Sequence, residues 1–187
     1  MKKTVMANMV AAIVIATSLL PLLSCATSGK AGGLSLQDAI ERAAERIADG
    51  LPAGTSLAVV SFESESDGLS DFIMETFNEA MMRGGIVVAD RKNLDLAFRE
   101  LDFGMSGFVS DETALSIGQI LGTQFVVTGQ FLDLGSVRRL SASAIQVETA
   151  IRQSAASFDV RNDGALREMI AALSRGTTRK TIEYNIP

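Results

Sequence analysis

Three places in this 187-residue chain gather side chains that could do chemistry. Cys25 is the single cysteine, a thiol with no second thiol to pair with. Glu63-Ser64-Glu65-Ser66-Asp67-Gly68 sets three acids at alternate positions before a glycine, an oxygen-rich loop of the kind that calcium favours. Asp90-Arg91, with Glu100 further on, follows a predicted strand, and strand ends are where α/β sheets keep ligand sites. The acidic loop lacks the downstream bidentate glutamate, because loop position 12 falls at Met74. It therefore reads as a solvated turn, with Asp67 beside a helix N-terminus where negative charge is favoured. Arg91 reads as the partner of an acid or as a cap on carbonyls, since no phosphate-cradling glycine loop accompanies it. An enzyme built on carboxylates alone, with Asp90 or Glu100 as base, is an alternative that no carboxylate pair at catalytic spacing supports. The chain has no histidine, which excludes Ser-His-Asp and Cys-His catalysis and histidine-based zinc sites. With no tryptophan and one tyrosine, Tyr184, it also lacks a platform for stacking carbohydrate. The expectation is a protein without catalytic residues, cofactor or metal.

Cys25 has the most informative surroundings. Lys2 and Lys3 start the chain, residues 10–23 are apolar apart from Thr17, Ser18 and Pro21, and Ser24 precedes the thiol. Charge, grease and a small residue in that order make an export signal. Residues 5–23 are also just long enough to cross a membrane as a helix. Pro21, Asn8, Thr17 and Ser18 weaken that alternative. Leu22-Leu23-Ser24-Cys25 resembles the lipobox of bacterial lipoproteins, which implies cleavage before Cys25, acylation of its sulfur and a further acyl chain on its nitrogen. One chain holds a protein only marginally on a bilayer, whereas two or more hold it stably. The expected organisation is a signal peptide over 1–24, an acylated cysteine and flexible tether over 25–34, and one periplasmic domain over 35–187. By resemblance to enterobacterial sorting, Ala26 rather than aspartate after the cysteine implies the outer membrane. The mature chain has 15 basic against 22 acidic residues, a net of −7, which argues against nucleic acid and against docking on anionic lipid.

The elements that would position these residues follow from periodicity. Residues 26–33 are small and glycine-rich, and fully stretched they span about 25–30 Å. Ser35 caps a helix whose stripe is Leu36, Ile40, Ala43 and Ile47, ending near Gly50. A buried strand over 57–62 precedes the acidic loop and a helix with Phe72, Ile73, Phe77, Ala80 and Met81 inward, stopped by Gly84-Gly85. Met81 lies on that core stripe. Met74 and Met82 lie off it and are the candidates for a partner contact, with Met105 as a further adaptable side chain. A second strand over 86–89, a helix through Leu94, Phe98 and Leu101, a turn over 104–107 and a helix capped by Ser110 come next. Strands over 124–134 and 140–149, joined at Gly135-Ser136, and a third over 154–160 form a meander. Asn162 or Asp163 caps a last helix that Gly176 ends, and Ile182 and Tyr184 suggest an edge strand. The fold class is α/β in the α+β sense: a mixed sheet with helices mainly on one face.

The run Val88-Ala89-Asp90-Arg91, Asn93-Leu94-Asp95, Glu100, Ser106-Gly107, Ser110-Asp111-Glu112-Thr113-Ala114, Ile117-Gly118, Leu121-Gly122 and Val126-Val127-Thr128-Gly129 carries a resemblance. It resembles the superfamily of the curli-secretion lipoprotein CsgG and the LpoB-type activators of penicillin-binding proteins. The resemblance covers residues 55–160. It implies an outer-membrane lipoprotein with a periplasmic α/β domain, no catalytic residues, and another envelope protein as partner, in peptidoglycan synthesis or secretion. Curli-type pores insert long hairpins whose alternate residues face lipid over spans of about ten residues. Here residues 104–109 are too short a link, the Gly135 hairpin has no extension, and Arg138, Arg139, Gln146, Glu148 and Arg152 suit a lipid-facing band poorly. A secretion pore is thus the disfavoured alternative. LpoB-type relatives reach their synthase on a long tether, where this chain has a short one. Relatives also place a glycine after the position of Thr149, where this chain has Ala150, which implies a different turn there.

Overall fold

The computed structural model describes residues 33–101 and 109–183, with side chains as far as Arg175. Cys25, residues 26–32, the 104–107 turn with Met105, and residues 184–187 with Tyr184 lie outside the described residues.

Each helix starts where a short polar side chain satisfies an orphan N–H. Ser35, Ser66, Asp90 and Ser110 accept from Asp38, Leu69, Lys92 and Thr113 and open α1 (Leu36–Asp49), α2 (Asp67–Arg83), α3 (Arg91–Glu100) and α4 (Asp111–Leu121). Asp163 accepts from Leu166 at the start of α5 (Gly164–Glu183). This last helix runs through Gly176 and includes Ile182, so neither the expected stop nor the edge strand forms. A glycine inside a helix costs only about 1 kcal/mol, which neighbouring backbone hydrogen bonds outweigh.

Five strands form one mixed sheet in the order β2-β1-β3-β4-β5. They are β1 (Ser56–Glu63), β2 (Val87–Val88), β3 (Phe125–Asp133), β4 (Val137–Gln146) and β5 (Arg152–Arg161). β1 lies parallel to β2 and β3, and β3, β4 and β5 form the antiparallel meander. The second strand is two residues rather than four. The expected tether ends inside the fold: Leu34 donates to the Asp159 carbonyl at 2.8 Å and accepts from Arg161 at 2.9 Å, bridging to Val160 beside β5.

Successive strand residues point to opposite faces, and the two faces carry separate cores. On the first face Leu57, Val59, Phe62, Phe125, Val127, Leu140 and Val160 pack against α1, α2 and α5. On the second, Ala58, Val60, Val126 and Ile145 pack against Leu94 and Phe98 of α3 and Ala114 and Ile117 of α4. Three of the five helices thus lie on the first face and two on the second.

Two glycines make this layering possible. A Cβ on Gly118 would stand 2.6 Å from both Val126 Cγ1 and Val147 Cγ2, so α4 sits on the sheet only without a side chain there. A Cβ on Gly129 would run into the Phe62 ring and stand 2.7 Å from the Ser141 carbonyl oxygen. Phe62 instead lies across that strand and tilts against Phe77, with ring centroids 5.2 Å apart. After β4, Ala150 takes φ 55°, the left-handed conformation a glycine would supply. Alanine here adopts a conformation that L side chains rarely take. The main chain is held there by the Ala150 N–H to Gln146 and the Gln146 N–H to Ile151.

Candidate functional site

The charged residues singled out by sequence do not converge. Asp90 Oδ1 accepts from the Lys92 N–H at 2.8 Å and is consumed as a helix cap. Arg91 Nη2 donates to Asp71 Oδ1 at 2.7 Å, joining α3 to α2. That hydrogen bond, reinforced by the charges of Asp71, Asp95 and Glu75, raises the Arg91 pKa above its ordinary value against a smaller desolvation effect. Glu100 closes the far end of α3, about 14 Å along the axis from Asp90 at about 1.5 Å per residue. No acid–base pair forms.

The acidic loop is likewise absorbed by structure. Ser66 caps α2 and Asp67 lies in its first turn. Glu65 Oε2 receives Arg138 Nη1 at 3.1 Å, while Arg138 Nη2 reaches Asp133 Oδ2 at 2.8 Å. The Arg138 guanidinium also lies 5.7 Å from the Phe131 ring centroid. Its side chain is only 7 % exposed, so two carboxylates and an aromatic face compensate a charge taken out of water. This cluster ties the β1–α2 loop to the β3–β4 hairpin across more than 65 residues, and no local pattern announces it. Among the described residues no group of three or more His, Cys, Asp or Glu could hold a metal ion.

Of the candidate contact methionines, Met74 is half-buried and packs against both cores. Met82, two turns along α2, is 54 % exposed. The two do not form one patch. Other exposed apolar side chains are Val87, Leu96, Ile120 and Ile151, with Leu132 and Leu134 near each other at the β3–β4 turn.

The sequence reading passed over one concavity. A cleft of ≈ 750 Å³ lies where the carboxyl end of β1 and the middle of β3 meet the start of α4. Its floor is the second face of the sheet beyond α3 and α4. The register aligns Ser61, Thr128, Ser143 and Ala155 in one row and Glu63, Gln130, Ser141 and Ser157 in the next. A bulge at Val60 directs Ser61 to this face. Asp111 and Glu112 form one wall, and Arg152 reaches Asp111 Oδ2 at 3.4 Å. Glu112 is held below the usual carboxylate range by its own backbone N–H and then by the Ser110 hydroxyl. The signal was present: Ser141-Ala142-Ser143-Ala144 alternates hydroxyl and methyl, as a strand with one dry and one open face does.

The architecture has counterparts among solved structures. The C-terminal domain of LpoB from Salmonella enterica matches with a TM-score of 0.56 and 19% identity, over 68% of this chain and 96% of that one. The same domain from Escherichia coli matches with a TM-score of 0.57 and 18% identity, over 67% of this chain and 98% of its own. The described domain has an LpoB-like fold. The NMR structure of E. coli LpoB agrees, with a TM-score of 0.57 and 16% identity, over 67% of this chain and 68% of that one. These structures match the LpoB side of the motif resemblance. No protein-family model matches the chain, and no curated protein does. Among the described residues, no helix of this LpoB-like domain is long and apolar enough to cross a membrane.

Proposed function

We propose that this chain is a lipid-anchored adaptor of the bacterial cell envelope. Acyl chains on Cys25 moor it to the outer membrane, facing the periplasm. Its LpoB-like domain binds another envelope protein and regulates peptidoglycan synthesis. One conjunction carries the reading: an LpoB-like fold follows directly on a Lys-Lys, apolar, Ser24-Cys25 leader. The protein acts by recognition and not by catalysis, in keeping with a chain that has no histidine and with the separation of Asp90 from Glu100. Met82, exposed at the end of α2, is a first contact point, and Met74, half-buried two turns away, is a separate one.

Anchoring is tested by growing cells with radiolabelled palmitate. The wild-type chain takes up label and fractionates with outer membrane, and Cys25→Ser does neither. Unlabelled wild-type protein, or protein with Met1 intact by mass spectrometry, overturns the anchor. The regulatory role is tested by adding the soluble domain to a purified peptidoglycan synthase from the same cells, where a raised rate of glycan polymerisation is expected.

A further inference from the structure

The cleft over β3, β4 and β5 has features that packing alone does not explain. In open α/β sheets, ligands bind outside the carboxyl ends of the strands, where the connections diverge to opposite faces. That divergence falls here: from β1 the chain crosses to β2 through α2 on the first face, and from β2 it returns to β3 through α3 and α4 on the second. The cleft reaches the carboxyl end of β1 at Ser61 and Glu63 and runs over the middle of its neighbour β3 at Thr128 and Gln130.

Ser143 supplies an independent observation. It is only 8 % exposed, and among the described residues its hydroxyl has no hydrogen-bond partner. Its row neighbours, Thr128 and Ala155, line the same cleft, so the hydroxyl faces into it. At the cleft surface that hydroxyl is free to donate to or accept from a ligand. The charges around it are also uncompensated. Asp111 has Arg152, but neither Glu63 nor Glu112 has a cationic partner among the described residues.

We propose that this cleft docks an extended segment of a partner protein, whose lysine or arginine side chain is received by Glu63, Glu112 and the Ser143 hydroxyl. Small-molecule pockets bury most of their ligand in largely apolar walls. This cleft is an open trough floored by serines and threonine, which suits main chain and one cationic side chain. The inference rests on the adaptor reading given above and deepens it. The chain also enters the domain at Leu34, which bridges to Val160 on the outer edge of β5. With eight residues between Cys25 and Leu34, covalent geometry keeps Leu34 within about 30 Å of an acylated Cys25.

The test uses the full-length lipoprotein in cells, with a photo-crosslinking amino acid placed at Gln130 or Ser157 in the cleft, or at Met82 outside it. Crosslinks from the cleft positions to an envelope protein are expected to map to a segment containing lysine or arginine. Replacing Glu63→Lys and Glu112→Lys together reduces that yield about tenfold, because like charges then face one another. Thermal melting of the double variant stays within a few degrees of wild type, which separates lost recognition from lost folding. Three results overturn the cleft: crosslinks from Met82 alone, a cleft crosslink to a segment without a cation, or yield unchanged by charge reversal. The first of these leaves the adaptor reading standing, whereas no crosslink from any position removes both.

Discussion

On the first face of the sheet, Leu140, Ala142 and Ala144 of β4 meet Phe158, Ala156 and Ser154 of β5 beside α1. On the second, Arg139, Ser141 and Ser143 of the same strand meet Asp159, Ser157 and Ala155, while α3 and α4 cover β1 and β3 and leave most of β4 and β5 open. The described core numbers 26 buried residues on the first face and nine on the second, so the first carries most of the folding energy. The second is released for recognition. Away from a bulge, neighbouring side chains on a strand point to opposite faces, so β4 serves both demands without compromise.

The largest effect expected from breaking this contrast is at Phe77, fully buried against Phe62. Phe77→Ala is expected to lower unfolding free energy by about 3–5 kcal/mol in urea titrations, and Ser141→Ala on the open face to change it by less than about 0.5 kcal/mol. Equal losses would erase the distinction between the faces. Next comes the Arg138 cluster on the dry side. Glu65→Gln with Asp133→Asn leaves the buried guanidinium unpaired and is expected to cost about 3 kcal/mol, whereas Arg138→Met is expected to be neutral or stabilising. Chemical denaturation of the two variants side by side decides this.

A smaller loss is expected at the second face. Gly118→Ala drives a methyl into Val126 and Val147, and overpacking of this kind costs about 1–3 kcal/mol. Calorimetry measures it. At the β4–β5 turn Ala150→Gly is expected to add about 0.5–1 kcal/mol by relieving the left-handed alanine, read as a higher melting temperature. The smallest effect concerns the exposed Arg139–Asp159 pair on the open face, 2.8 Å apart. The Arg139 hydrogen bond holds the Asp159 carboxyl below its ordinary value. Its stabilising contribution is therefore complete above the unfolded-state pKa and vanishes as pH falls through the folded-state one. Wild type and Asp159→Asn should differ slightly between about pH 7 and 5 and converge below about pH 4, followed by circular dichroism.

Much of the fold was legible because its cues are local. Ser35 and Ser110 cap the helices they announce, and the strand–helix order gives the mixed sheet. The candidate site was far less legible. Arg91 has an acid partner, as its plainer reading held, but that partner is Asp71, twenty residues away on another helix. The calcium-like spacing of the acidic loop dissolved once Glu65 found Arg138, a residue noticed in the sequence only as unsuited to lipid.

By itself, the sequence determined the order of elements, the caps, the histidine-free chemistry and the lipoprotein-like leader at Cys25, because periodicity, capping and composition act over a few residues. Only the tertiary structure decided which acids pair with which arginines, how short β2 is, and that serines on three different strands line one trough. Those outcomes depend on strand register and on charges brought together over tens of residues. Burial then fixes the strength of each interaction, and burial is a property of the assembled sheet rather than of any segment.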